Sequence, residues 1–300
     1  MTITRKIIGA VATAAVAALT LAGCSAPSDA ELGSSERPVK IGVVGASEPY
    51  WKTYTEAATE AGIAIELVNY TSYDKVNPAL SNGDLDLNQF QHVVYLAQYN
   101  VAASDDLAPI GSTAIYPLGL YSAQYDDVAD IPEGETVAVA NDESNQARGL
   151  LILQAAGLIE ITGGGSPFST VKDVDEAASK VKVQAIDPAL AVGSLPDYAG
   201  AVLNNDFVVK GGLNFDDALA QDDAADPSAK AYINVWAARA EDKDNATLAK
   251  LVALFQDTPA VTEGLQEVSG GVAEIISETP AALSDLLATT EKQVEEARSQ

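Results

Sequence analysis

The chain has 300 residues, with 17 Lys and Arg against 43 Asp and Glu, and a formal net charge of −26 at pH 7. This length suffices for two domains of ordinary size, and so acidic a chain argues against binding to nucleic acid or to anionic lipid. A single cysteine excludes an internal disulfide framework and any metal site built from a cysteine cluster.

The first 24 residues predict export and lipid attachment. Arg5 and Lys6 precede an apolar run over residues 7–21, which is too short to span a membrane comfortably. Leu-Ala-Gly-Cys then ends at Cys24 and resembles the lipobox of bacterial lipoproteins, in which the cysteine thiol receives a diacylglyceryl group and becomes the new N-terminus. Several acyl chains, palmitate among them, would give stable membrane anchoring. An ordinary secretory signal that happens to contain a cysteine is the alternative.

The sequence therefore divides into a signal peptide over residues 1–23, a lipidated Cys24 with a flexible tether over residues 24–38, and a body. The tether is rich in Ser, Ala, Pro, Asp, Glu and Gly and shows no apolar period. Residues 1–23 hold two basic and no acidic side chains, so the mature chain has 15 basic and 43 acidic residues and a charge of −28. These acidic residues are spread among apolar positions, which is typical of a solvated surface.

The body begins with a strand–helix–strand pattern. Residues 39–44 form an apolar strand, apolar side chains recur at helical spacing over residues 48–61, and residues 64–69 alternate as a second strand. Two such strands lie parallel with a right-handed crossover, which predicts an α/β sheet. A short helix is expected next, over residues 77–82.

The stretch around the single histidine groups polar and aromatic side chains more densely than its surroundings. Residues 84–96 read DLDLNQFQHVVYL, and their alternation predicts a strand that changes to helical spacing at His92 and continues as a helix to about residue 103. Ligands of open α/β sheets bind at the carboxyl ends of strands. A ligand site and an ordinary core with a surface histidine are both consistent with this stretch.

The remaining elements follow in order. Residues 110–121 contain a strand expected over residues 116–121, whose Pro117 and Gly119 suit a sheet edge or a crossing between domains. Residues 141–145 lead into a helix that ends at Gly157. Further strands are expected over residues 136–140, 181–186 and 232–238, and further helices begin near Asn245, Pro259 and Pro280.

Several segments, in this order and spacing, resemble the methionine-binding lipoproteins of ABC importers, the NlpA/MetQ family. The resemblance covers the chain from Val39 to the C-terminal helix. Two departures are Glu143, where the family often has Pro, and Trp51 in the first loop. The matching segments are YDKVNPAL at residues 73–80, DLNQFQH at 86–92 with Tyr95 and Leu96, NDESNQAR at 141–148, AVLN at 201–204 and YINV at 232–235.

The resemblance implies a two-lobed, periplasmic-binding-protein-like α/β fold of type II, with a ligand cleft between the lobes. We expect residues 39–120 and 235–300 in one lobe and residues 121–234 in the other, with closure by a hinge motion. It also implies a monomeric, lipid-anchored protein on the extracytoplasmic face of the cell membrane. This protein would capture L- or D-methionine and deliver it to an ABC permease with its ATPase subunit, with no cofactor and no enzymatic activity.

Eight residues would form the site by this resemblance. Arg148 suits the ligand carboxylate, because its planar guanidinium can bind both oxygens and it lies near a helix start, where the dipole favours negative charge. A surface arginine paired with a nearby carboxylate is the alternative. His92 would donate or accept at the polar end of the ligand, and its tautomer stays open. The eight residues are Arg148, Asn145, Asn204, Asn234, His92, Phe90, Tyr73 and Tyr95.

The amide and aromatic members each have a structural alternative. Asn204 is typical of a turn, whereas Asn234 lies within an apolar strand and needs a partner there. Tyr73, Phe90 and Tyr95 would form an apolar slot for a thioether. The same three rings would also serve as ordinary packing at a sheet edge, or would accept a leucine side chain.

The use of sulfur supports methionine independently of the resemblance. Met1 and Cys24 are the only sulfur-containing residues, and signal cleavage and lipidation account for both, so the body would contain no sulfur. Methionine replaces leucine at little cost in stability, so folding does not require its absence. Synthesis of the protein when sulfur is scarce would favour it. Drift in composition, or resistance to oxidation outside the cell, is the alternative.

Three other functions stay open as alternatives. The protein would be a receptor for another small amino acid, a receptor for a methionyl dipeptide, or a surface lipoprotein with no role in transport. An enzyme is disfavoured, since one histidine, no cysteine beyond Cys24 and no Gly-x-Ser-x-Gly sequence remove most hydrolase mechanisms. No loop has the acidic spacing of an EF-hand.

Overall fold

The computed structural model describes residues 30–299, so the predicted signal peptide and Cys24 lie outside the described residues. Within residues 30–299, no helix is both long enough and apolar enough to cross a membrane. The strands are β1 (Val39–Val44), β2 (Ile65–Tyr70), β3 (Leu87–His92), β4 (Ala108–Ser112), β5 (Ala114–Ile115), β6 (Gly119–Tyr121), β7 (Thr136–Ala140), β8 (Lys182–Ile186), β9 (Gly200–Leu203), β10 (Ala220–Gln221), β11 (Asn234–Ala238) and β12 (Glu274–Ile275). The helices are α1 (Pro49–Glu60), α2 (Val76–Ser81), α3 (Val93–Ala103), α4 (Glu143–Ala155), α5 (Pro188–Ala191), α6 (Asn205–Val208), α7 (Ala246–Asp257), α8 (Pro259–Val268) and α9 (Pro280–Arg298).

The first sheet has the strand order β2-β1-β3-β11-β4. β1 lies parallel to both β2 and β3, as the strand–helix–strand pattern predicts. β11 enters from far along the sequence and runs antiparallel to β3 on one side and to β4 on the other. The first sheet therefore joins the start of the body to a late strand.

The second sheet has the order β10-β6-β9-β7-β8. β7 is parallel to β8 and β9, whereas β6 is antiparallel to β9 and β10. Its strands lie between residues 119 and 221, while the first sheet uses residues 39–112 and 234–238. The chain thus passes from the first sheet to the second and back once; the lobe boundaries at residues 120 and 234 stay a prediction.

Both sheets are covered on both faces, which explains the apolar strands. In β11, Val235 and Ala237 join one core cluster while Trp236 and Ala238 join the cluster on the opposite face. β7 divides in the same way, with Val137 and Val139 facing one cluster and Ala138 facing the other. Alternate residues of a strand point to opposite faces, so buried side chains on both faces require a layer of helices on each side.

The strand expected over residues 116–121 is shorter than predicted, because β6 begins at Gly119. The residues before it contribute to β4 in the first sheet and to β5, which pairs with β12 in a small separate sheet. Pro117 lies between β5 and β6 and cannot donate a ladder hydrogen bond, because it has no N–H. The apolar run is therefore a crossing between sheets, which was one of the two alternatives for its Pro and Gly.

Two aromatic positions also differ from expectation. The strand expected from Tyr232 begins at Asn234, because Tyr232 ends a 3-10 segment, Pro227–Tyr232. Trp51 lies in α1 rather than in a loop and is 1% exposed. Its ring centroid is 5.7 Å from that of Tyr54 and 6.0 Å from that of Trp236. Trp51 therefore packs in the core of the first sheet, away from the predicted site.

The end of the predicted tether is attached to the body. The Gly33 N–H donates to the Arg37 carbonyl at 2.8 Å, and the Ala64 N–H donates to the Gly33 carbonyl at 2.7 Å. Leu32 packs against the core of the first sheet. Residues 32–38 thus contribute contacts to the folded body, in contrast to the flexible segment expected over residues 24–38.

Candidate functional site

A small, narrow cavity of about 20 Å³ lies between the two sheets. All eight residues predicted for the site line this cavity. Five residues that were not predicted also line it: Gln91, Tyr116, Leu118, Asn205 and Asp206.

The first sheet supplies one side of the cavity at the carboxyl end of β3. Phe90 and His92 lie on the same face of that strand near its end, and Tyr95 follows in the first turn of α3. Asn234 opens β11 directly opposite His92 in the antiparallel register. Two segments that are distant in sequence therefore meet at one end of the sheet.

The second sheet supplies the other side through the start of α4. The carboxylate of Asp142 caps this helix, with Oδ1 accepting from the Asn145 N–H at 2.9 Å and the Ser144 hydroxyl at 3.0 Å. This N-cap fixes the first turn of α4. Asn145 and Arg148 are three residues apart and so face the cavity from one side of the helix.

Arg148 is 5% exposed and already has partners. Its Nε donates to Asp222 Oδ2, its Nη2 donates to the Tyr116 carbonyl at 2.8 Å, and its Cζ lies 4.3 Å from the centre of the Tyr232 ring. No described residue hydrogen-bonds to Nη1. The expected alternative of an arginine paired with a carboxylate is therefore present, but in a buried form that holds the guanidinium rigidly at the cavity wall.

The structure selects the tautomer of His92. Nδ1 accepts from the Tyr95 N–H at 3.2 Å, so in the neutral ring the proton lies on Nε2, which donates to Asn145 Oδ1 at 3.2 Å. Burial, aided by the positive charge of Arg148, lowers the pKa of His92 to about 3. His92 is therefore a neutral donor, and its bond to Asn145 joins the two sides of the cavity.

Aromatic rings form the apolar part of the wall. The ring centroid of Tyr73 lies 5.8 Å from that of Phe90 and 6.2 Å from that of Tyr95, and the Phe90 and Tyr95 centroids are 5.6 Å apart. Phe207 adds a fourth ring, 5.6 Å from Tyr73. The predicted cluster of three rings is assembled, and aromatic surfaces of this kind suit an aliphatic or thioether side chain.

The two remaining asparagines occupy strand ends. Asn204 is 8% exposed and follows β9, but its side chain makes no capping bond to α6. Asn234 was expected inside a strand, yet it is the first residue of β11, and its Nδ2 reaches only the Tyr232 carbonyl at 3.5 Å. Both amides thus retain hydrogen-bonding capacity at the cavity, since an amide can donate twice and accept twice.

Asp206 and Gln91 are the polar lining residues that the sequence did not single out. The Tyr73 hydroxyl donates to Asp206 Oδ2 at 2.6 Å, and burial raises the pKa of this carboxyl to about 6. Gln91 is held by Asn77 and Asn88 through amide hydrogen bonds of 2.7–3.0 Å. Asp206 has a sequence signal in hindsight: a carboxylate two residues beyond a candidate asparagine at the end of a strand.

Known proteins of similar sequence match this chain over most of its length. A family model described as NlpA lipoprotein matches residues 39–275. The probable D-methionine-binding lipoprotein MetQ of Pasteurella multocida (strain Pm70) is 32% identical over 266 residues, which cover 86% of this chain and 95% of that protein.

Two solved structures are similar throughout the body. The substrate-binding protein of a methionine transporter from Streptococcus pneumoniae is 30% identical with a TM-score of 0.74, over 80% of this chain and 95% of that one. A nutrient-binding protein from Burkholderia cenocepacia, solved bound to methionine, is 32% identical with a TM-score of 0.73, over 79% of this chain and 99% of that one. These similarities confirm the predicted two-lobed α/β fold.

Proposed function

Because the chain belongs to the NlpA lipoprotein family, we propose that it binds methionine in the cavity between its two sheets and serves an ABC importer. Members of this family are substrate-binding proteins, so the protein is not an enzyme. As a lipoprotein it associates with a membrane. The observation that carries the methionine proposal is the convergence of Arg148, the cavity asparagines and the aromatic cluster on one cavity.

We assign the ends of the ligand from the chemistry of the wall. Arg148 would bind the carboxylate with the edge of its guanidinium that Asp222 and Tyr116 leave unused, aided by the N-terminal dipole of α4. Tyr73, Phe90 and Tyr95 would hold the side chain, and each sulfur–aromatic contact contributes about 0.3–1.5 kcal/mol. The side-chain amides of Asn145, Asn204 and Asn234 would bind the remaining polar atoms of the ligand, and His92 would hold the Asn145 amide in place through its Nε2–H.

The wider transport role follows from the family. The protein would act as a monomer. Lobe 1 would hold residues 39–120 and 235–300 and lobe 2 residues 121–234, closing about the two crossings between the sheets. A lipid on Cys24 would keep the protein on the extracytoplasmic face of the membrane. The closed form would dock on the permease that the ATPase subunit drives.

Calorimetry on the purified lipoprotein in detergent tests the ligand. Methionine should bind one-to-one and more tightly than norleucine, leucine or glutamine. Tighter binding of leucine or glutamine than of either methionine enantiomer would replace methionine with a general amino-acid ligand. If no free amino acid binds, methionyl dipeptides are the next ligands, and no binding at all would leave a surface lipoprotein without a role in transport.

Arg148→Ala tests the carboxylate assignment in the same assay. Charged hydrogen bonds contribute about 1.5–3 kcal/mol, so the affinity for methionine should fall at least about tenfold. Arg298→Ala is the matched control, because Arg298 makes an exposed 3.0 Å ion pair with Glu143 at the start of the same helix. Its affinity should stay within about twofold of wild type. Equal effects of the two substitutions would contradict the assignment of Arg148.

A further inference from the structure

Asp206 is a carboxylate at the cavity wall that forms no direct ion pair with a described basic residue, although the ammonium of Lys210 acts on it from farther away. It is the only acidic residue among the described residues that line the cavity. Arg148 already pairs with Asp222, and no ion pair joins Asp206 to a basic side chain within residues 30–299. The wall thus presents a guanidinium with an unused edge and a separate carboxylate that no described basic side chain contacts directly.

The hydrogen bonds of Asp206 come from neutral groups. The Tyr73 hydroxyl donates to Oδ2 at 2.6 Å, and Asn205 Nδ2 donates to Oδ1 at 3.2 Å. An ionised carboxylate has about four lone-pair positions, so about two stay available. These two donors orient the group, but they do not supply the charge that a buried carboxylate requires.

The raised pKa of Asp206 shows that its ionised form is unfavourable in this wall. Burial is the main cause that raises the pKa of Asp206 to about 6, and the negative charge of Glu48 acts in the same direction. The Tyr73 hydroxyl, Asn205 and the ammonium of Lys210 oppose this rise without cancelling it. A cationic group on the ligand would remove this cost, because an opposite charge nearby favours the ionised carboxylate.

We propose that Asp206 receives the α-ammonium group of the ligand, so that the site selects amino acids with a free amino group. The inference rests on the proposed function, because it takes an amino acid as the ligand. Tyr116 lies beside both ends of the proposed ligand: its carbonyl accepts from Arg148, and its side chain shares the cavity wall with Asp206. Arg148 and Asp206 then bind the two charges of a zwitterion.

This assignment also ties ligand charge to closure. Tyr73 follows β2 in the first sheet and Asp206 follows β9 in the second, so their hydrogen bond spans the cleft. Tyr73 is a positioning residue, because it orients Asp206 through its hydroxyl. An ammonium group bound to Asp206 would thus sit at a contact that forms only when the two sides of the cleft meet.

The test compares methionine with 4-(methylthio)butanoate and N-acetylmethionine, which keep the side chain and carboxylate but lack the charged amine. Wild type should prefer methionine over both analogues by at least about tenfold, the effect expected of a charged hydrogen bond. Asp206→Asn keeps the shape of the side chain and should remove most of that preference while binding 4-(methylthio)butanoate about as well as wild type does.

Glu48→Gln is the matched control, because it also removes one negative charge close to Asp206 but does not line the ligand cavity. It should keep the preference for methionine within about threefold of wild type. Loss of the preference in Glu48→Gln as well would assign the effect to the general charge of the region and overturn the role of Asp206.

A second measurement needs only the wild-type protein. With a pKa near 6, Asp206 is about nine-tenths protonated at pH 5, so methionine should bind about tenfold more weakly at pH 5 than at pH 7.5. 4-(Methylthio)butanoate should lose at most about twofold in affinity, because it has no amine to pair with Asp206 and its own carboxyl group is only partly protonated at pH 5. Equal pH dependence of the two ligands overturns the inference.

The outcomes separate this inference from the proposed function. If Asp206→Asn binds methionine with the wild-type preference, the ammonium assignment is wrong and amino-acid binding stands. If the wild-type protein binds no amino acid at any pH tested, the proposed function itself is wrong and the assignment falls with it.

Discussion

At the scale of single residues, burial and hydrogen bonds decide what His92 can do. Its folded-state pKa of about 3 lies below the usual value of 6.5, because burial disfavours the imidazolium. The stability that depends on the neutral ring is therefore complete above about pH 6.5 and is lost as the pH falls toward 3. At neutral pH His92 can donate through Nε2 but cannot supply a charge, so the cation of the site is Arg148.

An NMR titration tests this state directly, because His92 is the only histidine and gives a single imidazole signal set. The ring nitrogen shifts should stay constant from pH 8 to pH 5 and indicate a proton on Nε2. The same protein unfolded in urea is the control, and its ring should titrate near 6.5. A titration between pH 6 and 7 in the folded protein would contradict the buried, neutral histidine.

At the scale of elements, close contacts between helices and strands determine the positions of the strands that line the cavity. Gly111 in β4 faces Val252 of α7, and a Cβ added there would lie only 2.2 Å from Val252 Cγ1. β4 pairs with β11, whose first residue Asn234 lies at the cavity. The small residue thus lets α7 approach the edge of the first sheet, and any shift of β4 would reach the cavity through β11.

Gly111→Ala should destabilise the protein by about 1–3 kcal/mol, the usual cost of overpacking a core. Urea denaturation of Gly111→Ala, Val252→Ala and the double variant measures the coupling. The double variant should be at least about 1 kcal/mol more stable than the sum of the single losses predicts, because Val252→Ala removes the clashing methyl group. Additive losses would show that Gly111 does not set this contact.

At the scale of the whole molecule, the two sheets meet through a few specific cross-cleft contacts. The hydrogen bonds from Tyr73 to Asp206 and between His92 and Asn145 join the two sides at the cavity, and the ion pair between Arg298 and Glu143 joins α9 to α4 at the surface. The surface pair is worth about 1 kcal/mol or less. The buried contacts at the cavity therefore dominate the coupling between ligand and closure.

Membrane attachment belongs to the same scale and rests on the sequence around Cys24. Cys24→Ser should move the protein from the membrane fraction to the soluble fraction, because the Leu-Ala-Gly-Cys motif provides the only thiol in the chain. Fractionation followed by immunoblotting measures this, with Ser28→Ala as a control that should stay on the membrane. Continued retention of Cys24→Ser would contradict lipidation at this residue.

The sequence by itself determined the order and boundaries of most elements, because apolar periodicity and capping residues act locally. Asn245, for example, caps α7 as predicted, and Gly157 follows the end of α4. The eight predicted site residues also converge on one cavity, since each lies in a segment whose order and spacing resemble the family.

Only the tertiary structure decided how those residues are paired. Arg148 and Asp222 are 74 positions apart, and Tyr73 and Asp206 are 133 positions apart. Asn234 stands opposite His92 because β11 inserts between β3 and β4. Periodicity reports whether a side chain is buried, but the partner of a buried charge depends on which distant segments pack together. The carboxylate of Asp206 therefore became a candidate ligand group only once the two sheets faced each other.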